Sequence, residues 1–104
     1  DMLFDFNKYT IKLSNNNILD RLTEVIQENK RYNIQIVGYT DNVGEAKYNQ
    51  NLSEKRAETI FNALIQTGIS ADRMSFLGEG EGYPVVENTT DVNRKKNRRV
   101  EIVY

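Results

Sequence analysis

Apolar and polar positions alternate at the start of the chain: Met2, Phe4 and Phe6 alternate with Leu3 and Asp5, the pattern of a short strand. Asn7-Lys8-Tyr9-Thr10 reads as the loop that follows. Ile18, Leu19, Leu22, Val25 and Ile26 then recur at helical spacing, predicting an amphipathic helix over about residues 15–29, with Ser14 and Asn15 to Asn17 as N-cap candidates. Asn33 to Tyr39 reads as a strand with Ile34, Ile36 and Gly38 on one face and Val37 and Tyr39 on the other; its near-continuous apolar character suits a central position in a sheet. A second helix runs from about 45 or 51 to 67 and is stopped by Gly68, with an apolar stripe of Leu52, Ala57, Ile60, Phe61 and Leu64. Arg73 to Leu77 is a third strand, Gly78 to Pro84 an irregular connection, and 89–97 a short polar helix or loop. Arg99 to Tyr104 closes the chain as a strand with Val100, Ile102 and Tyr104 on one face. The order β-α-β-α-β-(short α)-β predicts an α+β fold, a mixed four-stranded sheet with helices packed on one face and right-handed crossovers. With no internal repeat, low-complexity tract or interior linker, residues 1–104 read as a single domain.

Composition narrows the chemistry more than the fold. Among 104 residues, 38% are hydrophobic and 28% charged, enough for one modest core. There is no cysteine, which excludes disulfides, thiolate zinc sites and cysteine nucleophiles. There is no histidine either, which removes the commonest general base and metal ligand and every Ser-His-Asp triad. No metal or cofactor is expected. No apolar run approaches the roughly 20 residues of a membrane-spanning helix, and no stretch of these residues reads as a signal peptide. The chain begins at Asp1 and reads as a mature product or an excised domain, so that any membrane attachment would lie in segments outside it.

Chemistry concentrates in Gly38-Tyr39-Thr40-Asp41-Asn42-Val43-Gly44 and in the helix after it, with Asn49, Leu52-Ser53 and Arg56-Ala57. A carboxylate just past a strand and a guanidinium on the next helix can hold a zwitterion, the first taking an ammonium and the second a carboxylate in a bidentate grip. Asn49 and Arg56 continue the Leu52–Ile60 side of the stripe, where polar groups need partners. Plainer readings exist for each residue. Asp41 serves equally well as a turn residue, Asn49 as a helix-start cap, and Arg56 as a solvated side chain pairing with Glu45 or Glu54, which is what the pattern alone favours.

Net charge is −1, yet Arg94, Lys95, Lys96, Arg98 and Arg99 crowd together. Without an overall basic balance or an aromatic RNA-binding motif, no nucleic-acid partner is expected. Arg98 and Arg99 would point to opposite faces of the final strand, so at most one of them lines a pocket with Asp41. Gly78, Gly80 and Gly82 do not make a nucleotide loop, because no helix opens after them and Pro84 follows. Carboxylate-only hydrolysis would need two poised acids. Asp41 and Glu45 are the nearest candidates, and their placement in the sequence gives no reason to expect a poised pair, so no enzyme is expected.

Across nearly its whole length the sequence resembles the OmpA-like peptidoglycan-binding domain of bacterial envelope proteins. The resemblance is carried in order by Phe4-Asp5-Phe6-Asn7-Lys8, Gly38-Tyr39-Thr40-Asp41-x-x-Gly44, Asn49-x-x-Leu52-Ser53-x-x-Arg56-Ala57, Gly68, Gly78-x-Gly80-x-x-x-Pro84-x-x-x-Asn88 and Arg94-x-x-Asn97-Arg98-Arg99-Val100-Glu101-Ile102. Asn93 departs from it, standing where many members have glycine. The resemblance implies binding to the peptide stem of peptidoglycan at meso-diaminopimelate, with Asp41 receiving the side-chain ammonium and Arg56 the side-chain carboxylate. Asn7, Thr40, Asn49 and Arg98 match the rim of the family's pocket, and Arg94 matches a further family position. It also implies a periplasmic location, with attachment to the outer membrane through a barrel or lipid anchor outside this chain, and it admits a homodimer. The alternative within the same resemblance is the wall-attachment domain of a flagellar stator or other motor protein.

Overall fold

The structure is a computed structural model that describes residues 4–5, 8–12 and 18–103. The first strand's Met2 and Phe6, the capping candidates at 14–17, Asn7 and Tyr104 lie outside the described residues. The elements are β1 (Phe4–Asp5), β2 (Lys8–Lys12), α1 (Ile18–Glu28), β3 (Ile34–Tyr39), α2 (Ala46–Gln66), a 3-10 turn (Ala71–Arg73), β4 (Met74–Gly78), α3 (Asp91–Asn97) and β5 (Arg99–Val103). The fold is mixed α+β, with three α-helices among the described residues, as the sequence pattern predicts.

The sheet differs from the expected four strands. Among the described residues it has five, in the order β1-β2-β5-β3-β4, with β3 and β4 parallel and the other neighbours antiparallel. Most of the predicted loop at 7–10 belongs to β2, which pairs with β5 from Lys8↔Val103 to Lys12↔Arg99. The residues Lys-Tyr-Thr-Ile-Lys alternate as a strand should, but strand pairing with the far end of the chain is a tertiary event that local turn signals hide.

One face of the sheet carries the core. Ile34, Ile36, Met74, Val100 and Ile102 pack with Leu22 and Ile26 of α1, Ala57 and Leu64 of α2, and Ile69. Phe61 and Phe76 meet at the edge of this layer with ring centroids 5.1 Å apart. The opposite face holds a charged network instead. Arg99 Nε donates to Glu101 Oε2 at 2.8 Å, and the guanidinium lies 3.8 Å over the Tyr39 ring. Burial, and then the charge of Glu101, push the Tyr39 hydroxyl up to about 12. Arg99 is thus committed to the far face, and its alternation with Arg98 sends the latter toward the helices.

The half of α2 nearest the sheet's end is unusual in what it buries. Leu52, Arg56 and Ile60 form a half-buried flank, while Asn49, Ser53 and Ala57 face inward. Of the predicted stripe, Ala57, Ile60, Phe61 and Leu64 do meet the core, and only its first member changes, from Leu52 to Ser53. The reason is close approach: a Cβ at Gly38 would collide with the Ser53 backbone carbonyl, and one at Gly78 with Ser53 Oγ and the Glu54 nitrogen. Only small side chains fit between the helix and these two glycines. Ser53 Oγ uses the contact, donating to Gln50 O at 2.8 Å and accepting from Gly80 N–H at 2.9 Å.

The far end of α2 closes as predicted at Gly68, which takes φ +106°. Ile69 N–H reaches Leu64 O at 3.1 Å and Gly68 N–H reaches Ile65 O at 3.0 Å, while Ile69 and Leu64 share the core.

Within the segment 89–97, residues Asp91–Asn97 form the helix α3. Thr90 caps it, accepting from Asn93 N–H at 3.1 Å, so asparagine at 93 is accommodated in its first turn. Asn97 is fully buried and ties the preceding connection to β5. Its Oδ1 accepts from Val85 and Val86 N–H at 2.8 and 3.2 Å, and its Nδ2 donates to Val86 O and Asn88 Oδ1 at 2.8 and 2.7 Å.

Candidate functional site

Strand pairing assembles the site. Because β3 and β5 are antiparallel with Tyr39 opposite Arg99, the turn that follows β3, Thr40-Asp41, comes beside Arg98, the residue that precedes β5. Asp41 and Arg98, far apart in sequence, are joined by a 2.6 Å contact between Arg98 Nη1 and Asp41 Oδ2. The other carboxylate oxygen, Oδ1, accepts from Val43 N–H at 2.9 Å, an Asx-type turn. The Asp41 side chain is one-tenth exposed and that of Arg98 more than a third.

Burial by itself pushes the Asp41 carboxyl up. The Val43 N–H, the Arg98 hydrogen bond and the charges of Arg98 and Arg94 outweigh it and hold the group below the ordinary value of 3.8. A carboxyl more acidic in the folded than in the unfolded chain contributes stability above its unfolded pKa and loses it as pH falls through the folded one. The carboxyl carbon of Asp41, followed by NMR, is therefore expected to titrate with a midpoint below 3.8 in the folded protein and to move upward in Arg98→Gln. An unchanged midpoint in that variant would remove Arg98 as a cause.

Arg56 comes to this cluster from the flank of α2. Among the described residues it has no ion pair with Glu45 or Glu54, the partners the pattern alone favours; Glu54 accepts from Gln50 Nε2 at 3.2 Å instead. Its Nη1 is buried and, among the described residues, has no hydrogen-bond partner. Burial first, and the charge of Arg98 next, lower its pKa, with Asp41 and Tyr48 opposing. A guanidinium remains protonated all the same. Arg94 reaches in from α3, donating from Nη1 to the exposed Asp91 carboxylate at 2.9 Å, while its Nε is buried without a hydrogen-bond partner among the described residues. Three guanidiniums thus gather about one buried carboxylate. An arrangement with more buried donors than acceptors is suited to an anionic group carried in by a ligand.

The remaining candidates divide. Asn49 is 2% exposed and is not the helix cap, which is Glu45. Its Nδ2 lies within 3.3 Å of Asp41 O, 3.1 Å of Val43 O and 3.2 Å of Glu81 Oε2, so it braces the turn that presents Asp41. Thr40 is buried and turned inward. Its hydroxyl donates to Asp41 O at 2.9 Å and its N–H to Gly80 O at 2.8 Å. Asn7 lies outside the described residues. Ser53 and Glu81 were not singled out as site residues from sequence. Ser53 stood in the quoted motif beside Leu52, and its small size against two glycines was the signal.

An α+β domain with a cationic cluster around one carboxylate at the end of its sheet is the class that fold and site define. Residues 3–98 match the OmpA family, and the chain belongs to that family. It is 40% identical over 113 aligned positions to outer membrane protein A of Escherichia fergusonii, covering 98% of this chain and 46% of that one. It is 35% identical over 101 residues to outer membrane porin F of Pseudomonas fluorescens, covering 97% and 31%. The chain thus spans less than half the length of these relatives. Among solved structures it resembles the peptidoglycan-associated lipoprotein of Burkholderia pseudomallei, with TM-score 0.81 and 29% identity over 98% of this chain and 86% of that one. It also resembles the C-terminal domain of Helicobacter pylori MotB, with TM-score 0.79 and 32% identity over 96% and 79%.

Proposed function

We propose that this domain binds the peptide stem of peptidoglycan through the side-chain head of meso-diaminopimelate, and so anchors a protein of the bacterial envelope to the cell wall from the periplasm. The observation that carries the reading is the convergence of Asp41, Arg56 and Arg98. Diaminopimelate ends in an ammonium and a carboxylate on one carbon, whereas lysine in the same place offers the ammonium alone. Asp41 suits the ammonium; Arg56, with a buried N–H lacking a partner among the described residues, suits the carboxylate. Asn49 and Thr40 act by holding the Asp41 turn. The likeness to a peptidoglycan-associated lipoprotein supports the same ligand class. Residues 1–104 would act as one non-catalytic module, and attachment to the outer membrane would be supplied by a barrel or a lipid anchor in the rest of the protein.

Titration with purified wall fragments tests this. Binding is expected for diaminopimelate-type stems and about tenfold or more weaker binding for lysine-type stems, the difference of one charge-assisted hydrogen bond. Equal binding to the two would sink the assignment. The likeness to MotB favours a second reading, wall attachment of a motor protein. A single membrane helix upstream in the full-length protein, in place of a barrel or lipid anchor, would select it.

A further inference from the structure

Asp41 has both carboxylate oxygens engaged by protein donors, Oδ2 by Arg98 Nη1 at 2.6 Å and Oδ1 by Val43 N–H at 2.9 Å. The Val43 bond is local to the turn. The Arg98 bond comes from the more exposed partner, whose side chain is 38% accessible against 10% for Asp41. Each oxygen keeps a second lone pair, but the side chain is nearly enclosed, and an ammonium that takes the place of Arg98 would reach Asp41 where its covering partner is the more exposed of the two. The displaced guanidinium then needs a new anion, in surroundings where Arg56 and Arg94 are already cationic and each holds a buried N–H without a hydrogen-bond partner among the described residues.

A ligand with an ammonium alone breaks the internal pair and leaves the guanidiniums uncompensated. A ligand with ammonium and carboxylate on neighbouring atoms replaces both halves at once. Its cation succeeds Arg98 on Oδ2, and its anion meets Arg98 and Arg56. We propose that Arg98 is a displaceable plug on Asp41, and that its exchange of partners is what makes the site select a zwitterionic head over a simple amine. This rests on the stem-peptide reading above. It assigns the discrimination to competition inside the protein as well as to the grip of Arg56.

Calorimetric titration of the whole chain with the tripeptide alanyl-glutamyl-diaminopimelate and with its lysine counterpart separates the two ideas. In Arg98→Gln, the lysine peptide is expected to bind more tightly than it does to the wild type. The preference for diaminopimelate should shrink about tenfold, the size of one charge-assisted hydrogen bond. If Arg98→Gln weakens both peptides by the same factor, or leaves both unchanged, the plug is overturned. A second measurement needs no variant: the diaminopimelate peptide amidated on its side-chain carboxylate should bind the wild type no better than the lysine peptide, and binding as tight as the free acid would overturn the exchange. A wild-type chain that binds none of the three peptides would instead refute the stem-peptide reading itself.

Discussion

Asp41→Ala combined with Arg56→Ala is expected to reduce wall binding by at least about two orders of magnitude while the domain stays folded. Each charge-assisted hydrogen bond contributes on the order of 1.5–3 kcal/mol net, and on the proposed reading the double change would remove one such contact from each end of the zwitterion. The two residues should differ in their effect on stability. Removing Arg56 deletes a half-buried cation whose buried Nη1 has no hydrogen-bond partner among the described residues, so the single variant should be as stable as the wild type or more so. Removing Asp41 frees Val43 N–H and leaves Arg98 to water, and the melting temperature should fall modestly. A pull-down on purified sacculi reads binding, and thermal unfolding reads stability. Undiminished sacculus binding by a folded double variant would show that the pair is misassigned. A site that costs stability and supplies binding is common where function retains groups that packing would reject.

Gly38→Ala should be the most damaging single methyl addition to the fold. The new Cβ would overlap the backbone carbonyl of Ser53, which no rotamer change can move. Overpacking of this kind costs about 1–3 kcal/mol, and a backbone obstacle places it at the upper end. Urea denaturation should show a loss near 3 kcal/mol, and adding Ser53→Ala should not restore it, because the obstructing atom is the carbonyl. Restoration by Ser53→Ala would mean that the hydroxyl, and not the backbone, sets the spacing. The same substitution should weaken wall binding, since lifting α2 off β3 moves Arg56 away from Asp41. Stability and site geometry are therefore coupled through a single close contact three residues from the carboxylate.

Local pattern was legible wherever one face of an element is buried against a continuous core. The periodicity of Leu22, Val25 and Ile26 marked α1, the run Ile34 to Tyr39 marked β3, and Gly68 marked the end of α2, because each of these signals is set within a few residues. It failed where long-range pairing decides. Lys8 to Lys12 is a strand through its pairing with β5 and, on its other side, with β1. Leu52 gave way to Ser53 on the inner face of α2 because Gly38 and Gly78 bring the backbones together, a contact invisible along the helix itself.

The candidate site divides in the same way. Which residue types gather at the Asp41 turn and on α2, and the absence of histidine and cysteine that turns attention from catalysis to binding, belong to the amino-acid sequence alone. So does the alternation that separates Arg98 from Arg99. That Asp41 is braced by Asn49, that it is held by Arg98 and not by Arg56, and that Arg56 lacks a hydrogen-bond partner for its buried Nη1 among the described residues were decided by tertiary structure. The physical reason is the antiparallel register of β3 and β5. It brings residues 57 positions apart to within 2.6 Å, and no local spacing encodes a contact of that range.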